Sequence, residues 1–246
     1  MKRPLIVENA RGRLAAATGV LFFALVMLAP EPNLGIETPS AEAVKQFYLS
    51  NQQSFRASFL LTGLAYAFFL CFLAILRTEL QNAEGGDGRL SGLAVGAGFL
   101  IAGFHVLGVT LWAAPALDLT ADRDSAQVGA WALFGNASQD ALVEVASFWR
   151  GVLLAAVAVV VLRYGALPRW LGWIAGALAF GSLIGPIGFL ESPIEPVMVG
   201  LGFGSHIGFY FWVLLASIAL TVRLGRASAP EPLSPQFDSA GVKATS

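Results

Sequence analysis

Apolar residues along this chain fill six long runs, separated by short polar breaks such as EPNLGIETPS and QNAEGGDG. The runs lie near 14–30, 55–76, 90–115, 141–162, 170–190 and 196–222. A helix of about twenty residues, rising about 1.5 Å per residue, crosses roughly 30 Å of hydrocarbon. Each run therefore predicts a membrane-spanning helix. Barrel strands are excluded, because the runs are too long and lack alternation of period two. Helices also satisfy their own backbone polar groups, which lipid cannot do. The expected fold is an all-α, six-helix transmembrane bundle over 14–226, preceded by a short segment, 1–13. The tail 227–246, rich in Pro, Ser and Ala, reads as disordered.

The polar breaks carry some structure of their own. Ala41 to Ser54 has helical composition and places Ala41, Val44 and Tyr48 on one side, which predicts a short interfacial helix before the second span. Val128 to Phe134 is apolar around Trp131 and reads as a surface-lying turn. Asn136-Ala137-Ser138 matches a glycosylation acceptor, a triplet common by chance. The basic start and first apolar run also resemble a cleavable signal peptide. That run leads straight into Pro30-Glu31-Pro32, and the nearest Ala-x-Ala triplet, Ala41-Glu42-Ala43, lies far beyond it, so the run is read as a retained span.

Composition agrees with the pattern. Only 13% of residues are charged and mean hydropathy is +0.69, against about 25% charged residues in a soluble domain. Charge then orients the bundle. Lys2, Arg3, Arg11, Arg13, Arg77, Arg89, Arg163, Arg169, Arg223, Arg226 and Lys243 fall on one side, whereas Lys45, Arg56 and Arg123 fall on the other. Positive charge concentrates on the cytoplasmic face, so both termini are expected in the cytoplasm. A net charge of -1 and the lack of basic clusters with interleaved aromatics give no reason to expect a nucleic-acid partner. The single cysteine, Cys71, cannot form an internal disulfide and reads as a small apolar filler.

Small residues suggest how the helices pack. Gly200, Gly204 and Gly208 recur every four positions on the last span, and Gly181 and Gly185 do so on the fifth. That spacing lets backbones approach closely. Pro186 follows directly and should kink the fifth span. Arg89 followed by Gly92, Gly96 and Ala97 parallels Arg169 followed by Gly172, Gly176 and Ala177, a pattern that reuse of small-residue spacing with interfacial Arg explains, with a duplicated hairpin as the alternative.

Four ionisable residues lie within the spans: His105, Glu144, Arg150 and His206. All four fall in the Arg-poor half of the bundle, with Ser147 one turn from Arg150. An arginine at such depth must face the bundle interior and find a partner. Glu144 and Arg150 are six residues apart, about 240° around a helix, so they do not share a face. Backbone carbonyls, a histidine, Glu191 or Glu195 are the candidate partners. The candidate ligand-binding set is thus Arg150, Glu144, Ser147, His105 and His206, for a lipid or small anionic molecule, and an inter-helix clamp is the alternative role for Arg150. A transporter or channel component acting as a homo-oligomer is the second functional reading. A haem-binding oxidoreductase subunit, using His105 and His206, is the third. There is no third ligand, no HxxxH spacing and no catalytic motif, so neither a metal nor a cofactor is assigned.

The stretch Phe69-Leu70-Cys71-Phe72-Leu73-Ala74-Ile75-Leu76-Arg77, then Ala83-Glu84-Gly85-Gly86-Asp87-Gly88-Arg89-Leu90-Ser91 and later Leu167-Pro168-Arg169-Trp170-Leu171-Gly172-Trp173, resembles a group of uncharacterised bacterial multi-pass membrane proteins sharing a domain of unknown function. The likeness covers roughly residues 12–225 and rests mostly on turn and interface residues. It implies a bacterial cytoplasmic membrane and transfers no activity.

Overall fold

A computed structural model describes residues 17–32, 40–118, 122–189 and 195–226. The segment 1–13, the tail 227–246 and Glu191 lie outside the described residues. Among the described residues every regular element is helical. The helices are α1 (Thr18–Leu28), α2 (Ala41–Ser50), α3 (Gln52–Glu84), α4 (Arg89–Leu117), α5 (Ser125–Tyr164), α6 (Arg169–Ile184) and α7 (Glu195–Arg226). Five of them, α3 to α7, are long and apolar enough to cross a bilayer, so the chain is a membrane protein. The first predicted span appears as the eleven-residue apolar helix α1.

Local chemistry sets the helix ends. The Ser40 side chain accepts from the Ala43 amide at 3.2 Å, and Asp124 accepts from the Gln127 amide at 3.1 Å, which caps α2 and α5. At the turn between α3 and α4, the Glu84 carboxylate accepts from the Leu90 and Ser91 amides, at 2.9 and 3.0 Å. It thus fills the orphan donors of α4 from the preceding helix. Gly88 (φ 60°) and Gly165 (φ 74°) take left-handed conformations at the two tight turns on the Arg-rich end.

The helices close into a ring in the order α1, α3, α4, α5, α6, α7 and back to α1. The Arg-rich half of its interior is a dry core around Phe69, Phe72, Leu76, Leu153, Val157 and Trp212. A second apolar cluster at the opposite end joins α2 to α3, α4 and α5. There Tyr48 stacks on Phe55 at 4.4 Å and Phe55 meets Trp112 at 4.6 Å.

Several expectations need correction. Val128–Phe134 is not a surface turn. It is continuous helix, because α5 runs 40 residues and begins sixteen positions before the predicted span. At about 1.5 Å per residue α5 is roughly twice as long as the hydrocarbon is thick, so hydropathy reports only its apolar part. At Pro186 the fifth span changes character: α-helix ends at Ile184 and a 3₁₀ turn, Gly185–Phe189, continues the candidate span Arg169–Ile187. Of the glycines expected at the contact between the last two spans, Gly181, Gly185 and Gly208 do lie tight against the neighbouring helix, Gly185 on Gly202, whereas Gly200 and Gly204 face open space. Cys71 is exposed on the outside of the bundle. The two repeat-like hairpins pack differently, since Gly92 and Gly96 meet nothing while Gly172 lies tight against Val161 and Leu162.

Candidate functional site

Where the dry core ends, the ring opens into a cavity of about 1450 Å³ that reaches toward the Arg-poor end. Drug-sized sites are typically about 300–1,000 Å³, so there is room for a ligand of lipid size. The α2 helix covers part of it through Ala41, Val44, Phe47 and Tyr48. One wall is α5, where Asn136, Asp140 and Glu144 recur every fourth residue and line the space together. Opposite, α7 contributes Val199, Phe203, His206 and Tyr210. The α5 and α7 helices touch only sparsely, and the exposed side chains Leu133 and Phe203 also line the space.

At the base lies Arg150, 2% exposed. Its Nε donates to Ser182 Oγ at 3.1 Å, and Nη1 donates to His206 Nδ1 at 2.8 Å. Ser182 Oγ donates on to Ser205 Oγ at 3.2 Å, and Ser147 Oγ donates to the Ser182 carbonyl at 3.1 Å. Arg150 is therefore fixed by three helices, α5, α6 and α7. Of the partners the sequence offered, the histidine is the one observed. Among the described residues no carboxylate stands within salt-bridge distance of Arg150. Glu144 lines the same cavity, half-buried, without reaching it.

The hydrogen-bond directions follow from what each group can do. A guanidinium only donates, so His206 Nδ1 accepts. Its Nε2 then carries the hydrogen and donates to the Tyr210 hydroxyl oxygen at 2.7 Å. His105 lies beside it, with ring centroids 5.5 Å apart. The His105 Nδ1 donates to the Ile101 carbonyl at 2.9 Å, which leaves Nε2 as a bare acceptor. That Nε2 is buried and has no hydrogen-bond partner, whereas the Tyr66 hydroxyl lies beside that of Tyr210. Tyr66 in turn leans against the His105 ring, centroid to centroid 5.0 Å.

The structure thus brings together Arg150, Ser147, His105 and His206, with Glu144 higher on the wall. It adds Tyr66, Tyr210, Ser182 and Ser205. Tyr210 was accessible to sequence reasoning, since it sits one turn after His206 on the same helical face. Ser182 and Ser205 carried no such signal. Bis-imidazole haem ligation is disfavoured here, because both nitrogens of His206 are already committed and it offers no lone pair to iron. Among the described residues no group of three or more His, Cys, Asp or Glu is placed to hold a metal ion. No protein-family model, curated protein or solved structure matches the chain.

Proposed function

We propose that this membrane protein binds, without chemical conversion, a lipid or small molecule whose acidic group is held by Arg150 at the base of the cavity. The proposal places the chain in a bacterial cytoplasmic membrane, kin to the uncharacterised bacterial proteins it resembles, with the Arg-rich end and both termini in the cytoplasm. The cavity then opens to the outside face. One observation carries the reading: a buried guanidinium lines a large cavity and has no carboxylate partner among the described residues. A buried charge without a counter-charge costs several kcal/mol. A ligand anion would remove that cost, and the hydrogen bonds that Arg150 donates to Ser182 and His206 orient the guanidinium to receive it. The dry core beneath Arg150 supports binding over an open channel.

The test is native mass spectrometry of the full chain purified in mild detergent. A reproducible adduct of defined mass is expected, lost in Arg150→Ala and partly kept in Arg150→Lys. A bare chain, or an adduct indifferent to Arg150→Ala, would reduce Arg150 to a packing clamp.

A further inference from the structure

Three acidic side chains and one basic one line the cavity. The acidic three are Glu31, after α1, and Asp140 and Glu144 on α5, and Arg150 is the one basic group, at the base. A simple anion would pass three carboxylates to reach one cation. Like charges repel at such range in a partly dry cleft, so a bare acid group is poorly matched to this lining.

An unsatisfied valence points the same way. His105 is 8% exposed and borders the cavity, and its Nε2 has no hydrogen-bond partner. Since Ile101 holds the His105 hydrogen on Nδ1, Nε2 can only accept. A fully ionised carboxylate or sulfate carries no donor, so it would leave this lone pair facing another. A ligand that brings a donor to the level of His105 would satisfy it.

Helix packing fixes what else is at that level. Gly98 of α4 lies against Leu153 of α5, and Gly108 lies against Leu142. Interpolating along the antiparallel pair sets His105 opposite Glu144. Arg150 is six residues on, about 9 Å nearer the dry core along the axis. Acceptors and a carboxylate thus sit above a single guanidinium in one cavity.

We propose that the ligand is a zwitterion, with its acid group on Arg150 and its primary ammonium between His105 Nε2 and Glu144. Asp140, one turn above Glu144, extends the acceptor wall. This rests on the reading that the cavity is a binding site anchored by Arg150. The same chemistry occurs in an aminophospholipid headgroup and in a free amino acid or phosphoamine. The exposed apolar lining residues Leu133 and Phe203 suit the acyl chains of the former.

The experiment uses delipidated full-length chain in detergent, titrated with phosphatidylethanolamine, phosphatidylglycerol and phosphatidylcholine of one chain length, and with phosphoethanolamine. Retention is read by native mass spectrometry. Phosphatidylethanolamine should bind at least about ten-fold tighter than phosphatidylglycerol, an ordinary margin for one added charge-assisted contact. Glu144→Gln, near-isosteric and half-buried, should bring that ratio close to one while the variant melts as the parent does. Phosphatidylcholine, which has no N–H, should bind weakly. Competition by phosphoethanolamine would assign the soluble form of the zwitterion; binding of the lipid alone would assign the membrane form. Equal, Arg150-dependent binding of phosphatidylglycerol would overturn the zwitterion and leave the anion site standing. Loss of all Arg150-dependent binding would remove both.

Discussion

At the scale of residues, the base of the cavity is a chain of dependencies that begins with Ser182. Its hydroxyl accepts from Arg150 and donates to Ser205, and Ser205 donates to the Gly202 carbonyl at 2.8 Å. Ser182→Ala would leave a charged N–H buried without an acceptor. The expected loss is about 1–3 kcal/mol of stability, read as a lower melting temperature in detergent, and no change in melting would show that water or ligand takes over the bond. Sequence reasoning found Arg150 because a mid-span arginine is costly anywhere in hydrocarbon. It did not find Ser182, because a serine in a membrane helix is inexpensive and common. His206 was visible as an oddity, but only its rotation toward α5 shows that it accepts from Arg150.

Helix packing decides the next scale. A Cβ at Gly185 would lie 2.5 Å from the Gly202 Cα, and one at Gly135 would lie 2.7 Å from the Leu111 carbonyl oxygen. Gly185→Val should force α6 and α7 apart and cost about 1–3 kcal/mol, the range for overpacking. Gly200→Ala, in open space within α7, should cost nothing and raise stability by up to about 1 kcal/mol, the helix-propensity difference between the two residues. Paired thermal melts check both, and equal sensitivity would mean that α7 is rotated from the position described. The α2 helix offers a test by pH. Burial pushes the Tyr48 phenol up to about 12 from its ordinary value of 10.0. The neutral form is thus favoured in the folded cap, so its contribution is complete below pH 10 and declines as pH rises toward 12. Hydrogen exchange of α2 should be flat up to pH 10, after correction for the intrinsic rate, and accelerate above it. Tyrosinate absorbance would follow the same window.

For the whole molecule, the ring of helices separates two environments. The Arg-rich half is filled by apolar side chains, and Arg223 closes it by donating to the Ala166 carbonyl and approaching Glu79 at 3.9 Å. The other half is hollow and partly covered by α2. Sidedness is testable in a Cys71→Ala background, which removes the exposed native thiol. Asp87→Cys, in the turn on the Arg-rich end, should react with a membrane-impermeant thiol reagent only after the cytoplasmic face is opened. Asp122→Cys should react in intact cells. The reverse pattern would invert the proposed orientation.

What the sequence determined by itself was membrane residence, helical class, the approximate position of the long apolar segments and the segregation of Lys and Arg. Each of these is a local property, because hydrocarbon penalises polar backbone and charge residue by residue. Tertiary structure decided the rest. The α5 helix continues through Asn136 and Asp140, outside the apolar stretch that hydropathy detects, and so builds the cavity wall. Gly202 rather than Gly200 or Gly204 meets Gly185 because the rotation of α7 is set by its neighbours on both sides of the ring. That rotation also turns His206 and Tyr210 inward, onto Arg150 and toward His105. Which polar groups meet depends on helix rotation and register, and in lipid those are fixed by packing between helices, information that no single helix contains.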